Sequence, residues 1–140
     1  MKHLFRHSLT VAAVAATLAA CTANGKLQQY IENNNIRLAG KEIAPGMTCE
    51  GMTLDRDTVI VTYDFPAITV SEAELANRDI ITANHRNLFL EGLSNDKTSD
   101  PDGARIIADA DVYMKGVFKY ANATFTVLIP PDELDAVLGE

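Results

Sequence analysis

Few side chains here are of a type and spacing that catalysis or metal binding can use. Beyond residue 7 there is one histidine, His85, with no second histidine at metal-ligand spacing, so the chain carries no zinc signature. Ser71, Ser94 and Ser99 lack the glycine-flanked context of a nucleophile elbow. No glycine pattern of the phosphate-cradling kind is present. Cys49 and His85 are the one nucleophile–base pair available, but Cys49 falls on an apolar strand face, where a thiol stays protonated and unreactive. The run Asp96, Asp100, Asp102, Gly103 invites a calcium reading. With Gly103 at the loop glycine, however, Thr98 stands where the first carboxylate is needed and Pro101 falls inside the loop. Asn122-Ala123-Thr124 has the form of a glycosylation sequon, and Asn122 also suits a tight turn. No cofactor and no metal site are expected, and no catalytic residue is assigned.

The one residue with a defined chemical fate is Cys21. Lys2 and Arg6 precede an apolar stretch from Leu9 to Leu18, the length of a secretory core and about half of what spans a bilayer. It ends in Leu18-Ala19-Ala20-Cys21. This segment resembles the lipobox of bacterial lipoproteins cut by signal peptidase II. The resemblance covers residues 1–21 and implies cleavage after Ala20 with a lipid on the Cys21 thiol. Thr22 in place of an aspartate implies the outer membrane, facing the periplasm, ahead of the inner membrane or cell surface. Acyl chains contribute about 0.8 kcal/mol per buried methylene, so more than one chain anchors firmly.

Cleavage would remove two of the twelve basic residues and no acidic one, taking the formal charge from −7 to −9. A surface of that sign repels nucleic acid phosphates and suits a basic or cationic partner. With Cys21 lipidated, Cys49 has no disulfide partner in the chain; it is either a small buried group or open to an intermolecular bond.

The elements that position these residues follow from periodicity. Residues 21–45, with Asn33-Asn34-Asn35, Gly40 and Pro45, read as the lipidated cysteine and a tether, with a short docked helix around Leu27, Tyr30 and Ile31 left open. Residues 46–140 read as a single α+β domain. Val59, Val61, Tyr63 and Phe65 alternate with Ile60, Thr62 and Asp64. One extra residue at Glu50-Gly51 sets Leu54, Met52, Cys49 and Met47 opposite them. Ser71 and Glu74 form a capping box that opens a helix to about Glu91, with Gly92 at its end and Ala76, Ile80, Ala83, Asn87 and Leu90 on its apolar stripe. Ser94 to Asp100 reads as a loop. Asp100-Pro101 opens a short helix to Ala110 that buries Ile106 and Ile107. A second hairpin turns at Ala121-Asn122, with Phe118 against Phe125 and Met114 against Ile129. Asp132 to Leu138 suits a last helical turn. The expected fold is a four-stranded antiparallel sheet in ββααββ order with helices on one face.

On the other face, Ile60, Tyr113, Val117 and Leu128 are candidates for an apolar docking strip, although scattered apolar residues on a sheet are also ordinary. Three functions remain open. One is a non-catalytic accessory or docking component of an envelope assembly, with a protein partner. Another is a periplasmic immunity or inhibitor lipoprotein that neutralises a basic toxin or lytic enzyme. The last is a small-ligand carrier, which requires a cavity. Cys21→Ser should no longer incorporate radiolabelled palmitate in growing cells; label persisting on the variant would refute the lipoprotein reading.

Overall fold

Leu27 and Ile31, one helical turn apart, are both buried, and Tyr30 beside them is half-buried. They seat the first helix of a computed structural model that describes residues 23–139; Cys21 and the lipobox lie outside the described residues. Helix α1 (Ala23–Leu38) and strand β1 (Lys41–Ala44) occupy the segment expected to be a tether. The asparagine run does not break the helix, because tertiary contacts override its weak propensity. Asn35 turns its amide onto the sheet, donating from Nδ2 to the Met52 carbonyl and accepting from the Met52 N–H, both at 2.7 Å.

Strands β2 (Met47–Asp55) and β3 (Thr58–Phe65) form the expected hairpin. Leu54 pairs with Val59, Met52 with Val61 and Cys49 with Tyr63, and the register slips once between Cys49 and Gly51. Gly51 takes the bulge at φ +129°, a backbone conformation closed to residues with a side chain. Strands β4 (Tyr113–Tyr120) and β5 (Thr124–Ile129) form the second hairpin, with Phe118 on Phe125 and Met114 on Ile129.

The sheet has five strands in the order β1-β2-β3-β4-β5, and β3 and β4 are parallel. This corrects the expected four-stranded antiparallel sheet in two ways. The extra strand is β1, paired to β2 by the residues assigned to the tether. The parallel pair arises because residues 66–112 form a helical crossover that returns the chain to the end of the sheet where β3 began. Aromatic pairs span the parallel seam: Tyr63 stacks on Phe118 at 5.3 Å and Phe65 on Tyr120 at 4.7 Å.

The crossover also departs from expectation. Ser71 and Glu74 make the capping box, but the helix they start, α2 (Glu72–Leu75), is one turn long. A break at Ala76-Asn77 precedes α3 (Arg78–Ser99), which runs through Gly92 and takes in the expected loop. Its buried side chains are His85, Phe89 and Leu93, four apart, while Ile80 and Leu88 are exposed. The apolar stripe is thus rotated from the expected one. Burial of Leu93 carries the helix past Gly92, against a cost of about 1 kcal/mol for a mid-helix glycine. Helix α4 (Pro101–Asp109) is capped by Asp100, whose side chain accepts from the Gly103 N–H at 3.1 Å. Helix α5 (Pro131–Leu138) closes the chain.

The buried core joins Leu27, Leu93, Ile107 and Leu134 from the helices to Val59, Met114 and Phe125 from one sheet face. Asn122 does more than turn the chain. Its amide holds the backbone of Val70 from both sides, at 2.8 and 2.9 Å, and so fixes where the crossover begins.

Asn35→Ala should lower stability by about 2 kcal/mol, because it strands the donor and acceptor of Met52. Urea unfolding measures this directly. An unchanged midpoint would mean that the paired hydrogen bonds contribute nothing.

Candidate ligand cleft

The two helices that flank the sheet stand on different strands. Helix α1 packs on β2 and α4, while α3 packs on β5, α4 and α5. Between them a cleft of about 670 Å³ runs along β3 and β4, with Phe89 of α3 packed on the sheet beside Gly116 and Phe118. Its floor is apolar, built from Met52, Val61, Met114 and Phe118. Ala104 and Ile107 of α4 close one end, and Phe65 and Tyr120 lie toward the other. On the α3 wall, Leu88, Gly92 and Asp96 recur every four residues and so share one helical face. A Cβ placed on Gly92 would meet nothing within 4 Å. On the α1 wall stand Tyr30, Asn34 and Leu38.

The polar groups in the cleft fall into two sets. One is His85 with Tyr120. His85 Nδ1 lies 2.7 Å from the Ile81 carbonyl, which can only accept, so Nδ1 carries the proton. Nε2 then accepts from the Tyr120 hydroxyl at 2.6 Å. The ring is held among Phe118 and Phe125, with centroids 4.8 and 5.1 Å away. Both nitrogens are engaged, which leaves no lone pair to act as a base on a ligand.

The other set is Tyr30, Asn34, Tyr63, Cys49 and Asp96. Burial pushes the phenols of Tyr30 and Tyr63 above their ordinary values, and the charge of Asp96 adds to the effect on each. Asp96 is accessible at the rim, yet the surrounding protein thins its hydration and raises its carboxyl pKa; Asp100 adds to the rise and Arg37 opposes it. Burial likewise pushes up the Cys49 thiol, more than the Gly51 N–H holds it down. Cys49 and His85 do line one cleft, but a protonated thiol and an imidazole with both nitrogens hydrogen-bonded do not make a nucleophile and base.

The acidic run does not converge. Asp100 caps α4, Asp102 is exposed beside Arg105, and Asp96 faces the cleft. Among the described residues no group of three or more His, Cys, Asp or Glu side chains is placed to hold a metal ion.

The sheet face away from the helices carries Ile60, Tyr113, Val117 and Leu128. Ile60, Lys115 and Leu128 form one cross-strand row, with Tyr113 and Val117 two residues to either side of Lys115. Leu128 is exposed and the other three are half-buried. The four therefore surround a lysine and do not make a continuous strip.

Sequence reasoning placed Tyr63 and Phe65 on the inner face and missed Asn34, Leu88 and Asp96 as cleft residues. The spacing of Leu88, Gly92 and Asp96 was the available signal, hidden by taking Gly92 as a helix end.

A carboxyl whose folded pKa lies above its unfolded value costs stability as pH rises through that window, since the folded state holds the proton more tightly. Asp96→Asn should therefore raise the unfolding midpoint at neutral pH. The two midpoints should converge as pH falls toward the ordinary carboxyl value of 3.8. A variant less stable than wild type at neutral pH would contradict this account of Asp96.

No protein family, curated protein or solved structure matches this chain.

Proposed function

We propose that this chain is a lipid-anchored envelope protein whose folded domain is a non-catalytic carrier of a small, largely apolar ligand, held in the cleft between α1 and α3. The observation that carries this reading is the largely apolar lining of a cleft between two helices that stand on different strands. A cleft of about 670 Å³ lies within the range of small-molecule sites, which are predominantly apolar with a few placed polar groups. An apolar surface left unfilled forfeits contacts that a tighter helix pair would make. Gly92 points the same way. Any larger residue there would favour the helix, and glycine is the residue that keeps the wall open.

Lipidation at Cys21 supplies the membrane attachment in this proposal, with the outer membrane facing the periplasm as its address. The docking and inhibitor readings have less support. They need a coherent surface, and the candidate face is interrupted at its centre by Lys115.

Gly92→Leu separates the ligand-binding reading from a merely loose fold. The added side chain enters open space, so it should raise the melting temperature while abolishing the fluorescence enhancement of N-phenyl-1-naphthylamine, a neutral apolar probe, on the wild-type protein. Equal enhancement by wild type and variant would remove the cleft as a binding site.

A further inference from the structure

The lining of the cleft is not uniform in chemistry, and the difference specifies a ligand class. The floor is apolar, whereas the lining near the start of α4, where Tyr30 packs against Gly103, also carries a carboxylate, a second phenol ring and a primary amide: Asp96, Tyr63 and Asn34. Among the described residues no ion pair or hydrogen bond engages the Asp96 carboxylate. Arg37 on α1 attracts it from a distance without pairing with it. The Tyr30 hydroxyl meets the Asn34 amide at a long 3.5 Å, and the Tyr63 hydroxyl, on a ring held in place by stacking on Phe118, has no hydrogen-bond partner among the described residues. The carboxylate and both hydroxyls thus keep bonding capacity for something in the cleft.

Each candidate head group can be weighed against those groups. An anionic head would meet Asp96, with Asp100 behind it, and only the exposed Arg37 nearby to compensate. A neutral polar head would leave the Asp96 carboxylate without a directly paired counter-charge. A positive head would pair with Asp96 and rest against the faces of Tyr30 and Tyr63, the combination that aromatic sites use for ammonium groups. The acidic surface of the whole chain, −7 over 140 residues, favours the same sign.

The geometry points to an organic cation with an apolar body as the occupant: the body lies on the floor of the cleft, and the ammonium sits at the rim between Asp96 and the rings of Tyr30 and Tyr63. This rests on the carrier reading and narrows it to amphiphilic amines and quaternary ammonium compounds. Binding supplies Asp96 with the direct counter-ion that no described residue provides.

The test displaces bound N-phenyl-1-naphthylamine from the full chain with three dodecyl compounds below their micelle concentrations: dodecyltrimethylammonium, dodecanoate and dodecanol. Signal that survives in Gly92→Leu is subtracted, so that only the cleft is read. The cation should displace the probe at about tenfold lower concentration than the carboxylate. Asp96→Asn should bring the two to near equality while leaving dodecanol unchanged. Glu91→Gln removes one exposed charge from the same helix and should leave the preference intact. Equal displacement by cation and anion on the wild-type protein overturns the inference and leaves the carrier reading standing. A preference that Glu91→Gln weakens as much as Asp96→Asn also overturns it, since overall charge would then be the cause. Failure of all three compounds and of the probe to occupy the cleft overturns both readings together.

Discussion

The paired hydrogen bonds from Asn35 to the backbone of Met52 are the constraint on which the rest of the cleft depends. They form at the bulge, where Gly51 leaves the regular ladder and the strand would otherwise have an unmet donor and acceptor. One side chain therefore satisfies the irregularity of β2 and moors α1 to it. With α1 held over β2 it cannot slide toward the sheet centre, and the space between it and α3 persists. The bulge also brings Met52 and Cys49 onto one face, so that both look into that space. A regular β2 would turn one of them away and remove the need for Asn35 at all.

Packing is divided unevenly on either side of this opening. Under α3, α4 and α5 the core is filled by Phe125, Ile129, Leu134 and Leu138, each almost wholly buried. Arg86 of α3 pairs with Glu133 of α5, and Lys97 reaches the Gly139 carbonyl, so the helices on that side are tied together. On the α1 side the attachment is narrower. The buried Leu27 and Ile31, the Asn35 pair and the contact with α4 are its main elements. Gly103 permits that last contact, because a Cβ there would come within 2.6 Å of the Tyr30 ring. Of the two helical walls of the cleft, α1 is the less heavily fastened, and segments held by fewer buried contacts open at lower cost.

Much of the local structure was legible in the sequence. Period-two runs specified both hairpins, and the phase change at Glu50-Gly51 specified the bulge to the residue. Ser71 with Glu74, and Asp100 with Pro101, marked helix starts where they occur. What was not legible is non-local. Nothing in β3 or β4 alone says that they are neighbours or that they run parallel, since that follows from the length and path of the crossover. The asparagine run looked like a breaker because its partner, Met52, lies 17 residues away. Gly92 looked like a helix end because the burial of Leu93 that outweighs it is a tertiary fact. The cleft was the least accessible feature, for a gap is an arrangement of residues that fail to meet, and a pattern of types does not record it.

One consequence follows from where the tyrosines lie. The chain has four of them and no tryptophan. Tyr30, Tyr63 and Tyr120 line the cleft, and Tyr113 alone stands on the opposite face of the sheet. The near-ultraviolet absorption and emission of the folded protein therefore originate mostly around the cleft. Tyr63 and Tyr120 are stacked on neighbouring rings and Tyr30 is half-enclosed, so their optical transitions respond to any change in what surrounds them. The protein carries its own optical reporter of the cleft, built from side chains that line it, with Tyr113 as an internal reference on the other face of the sheet.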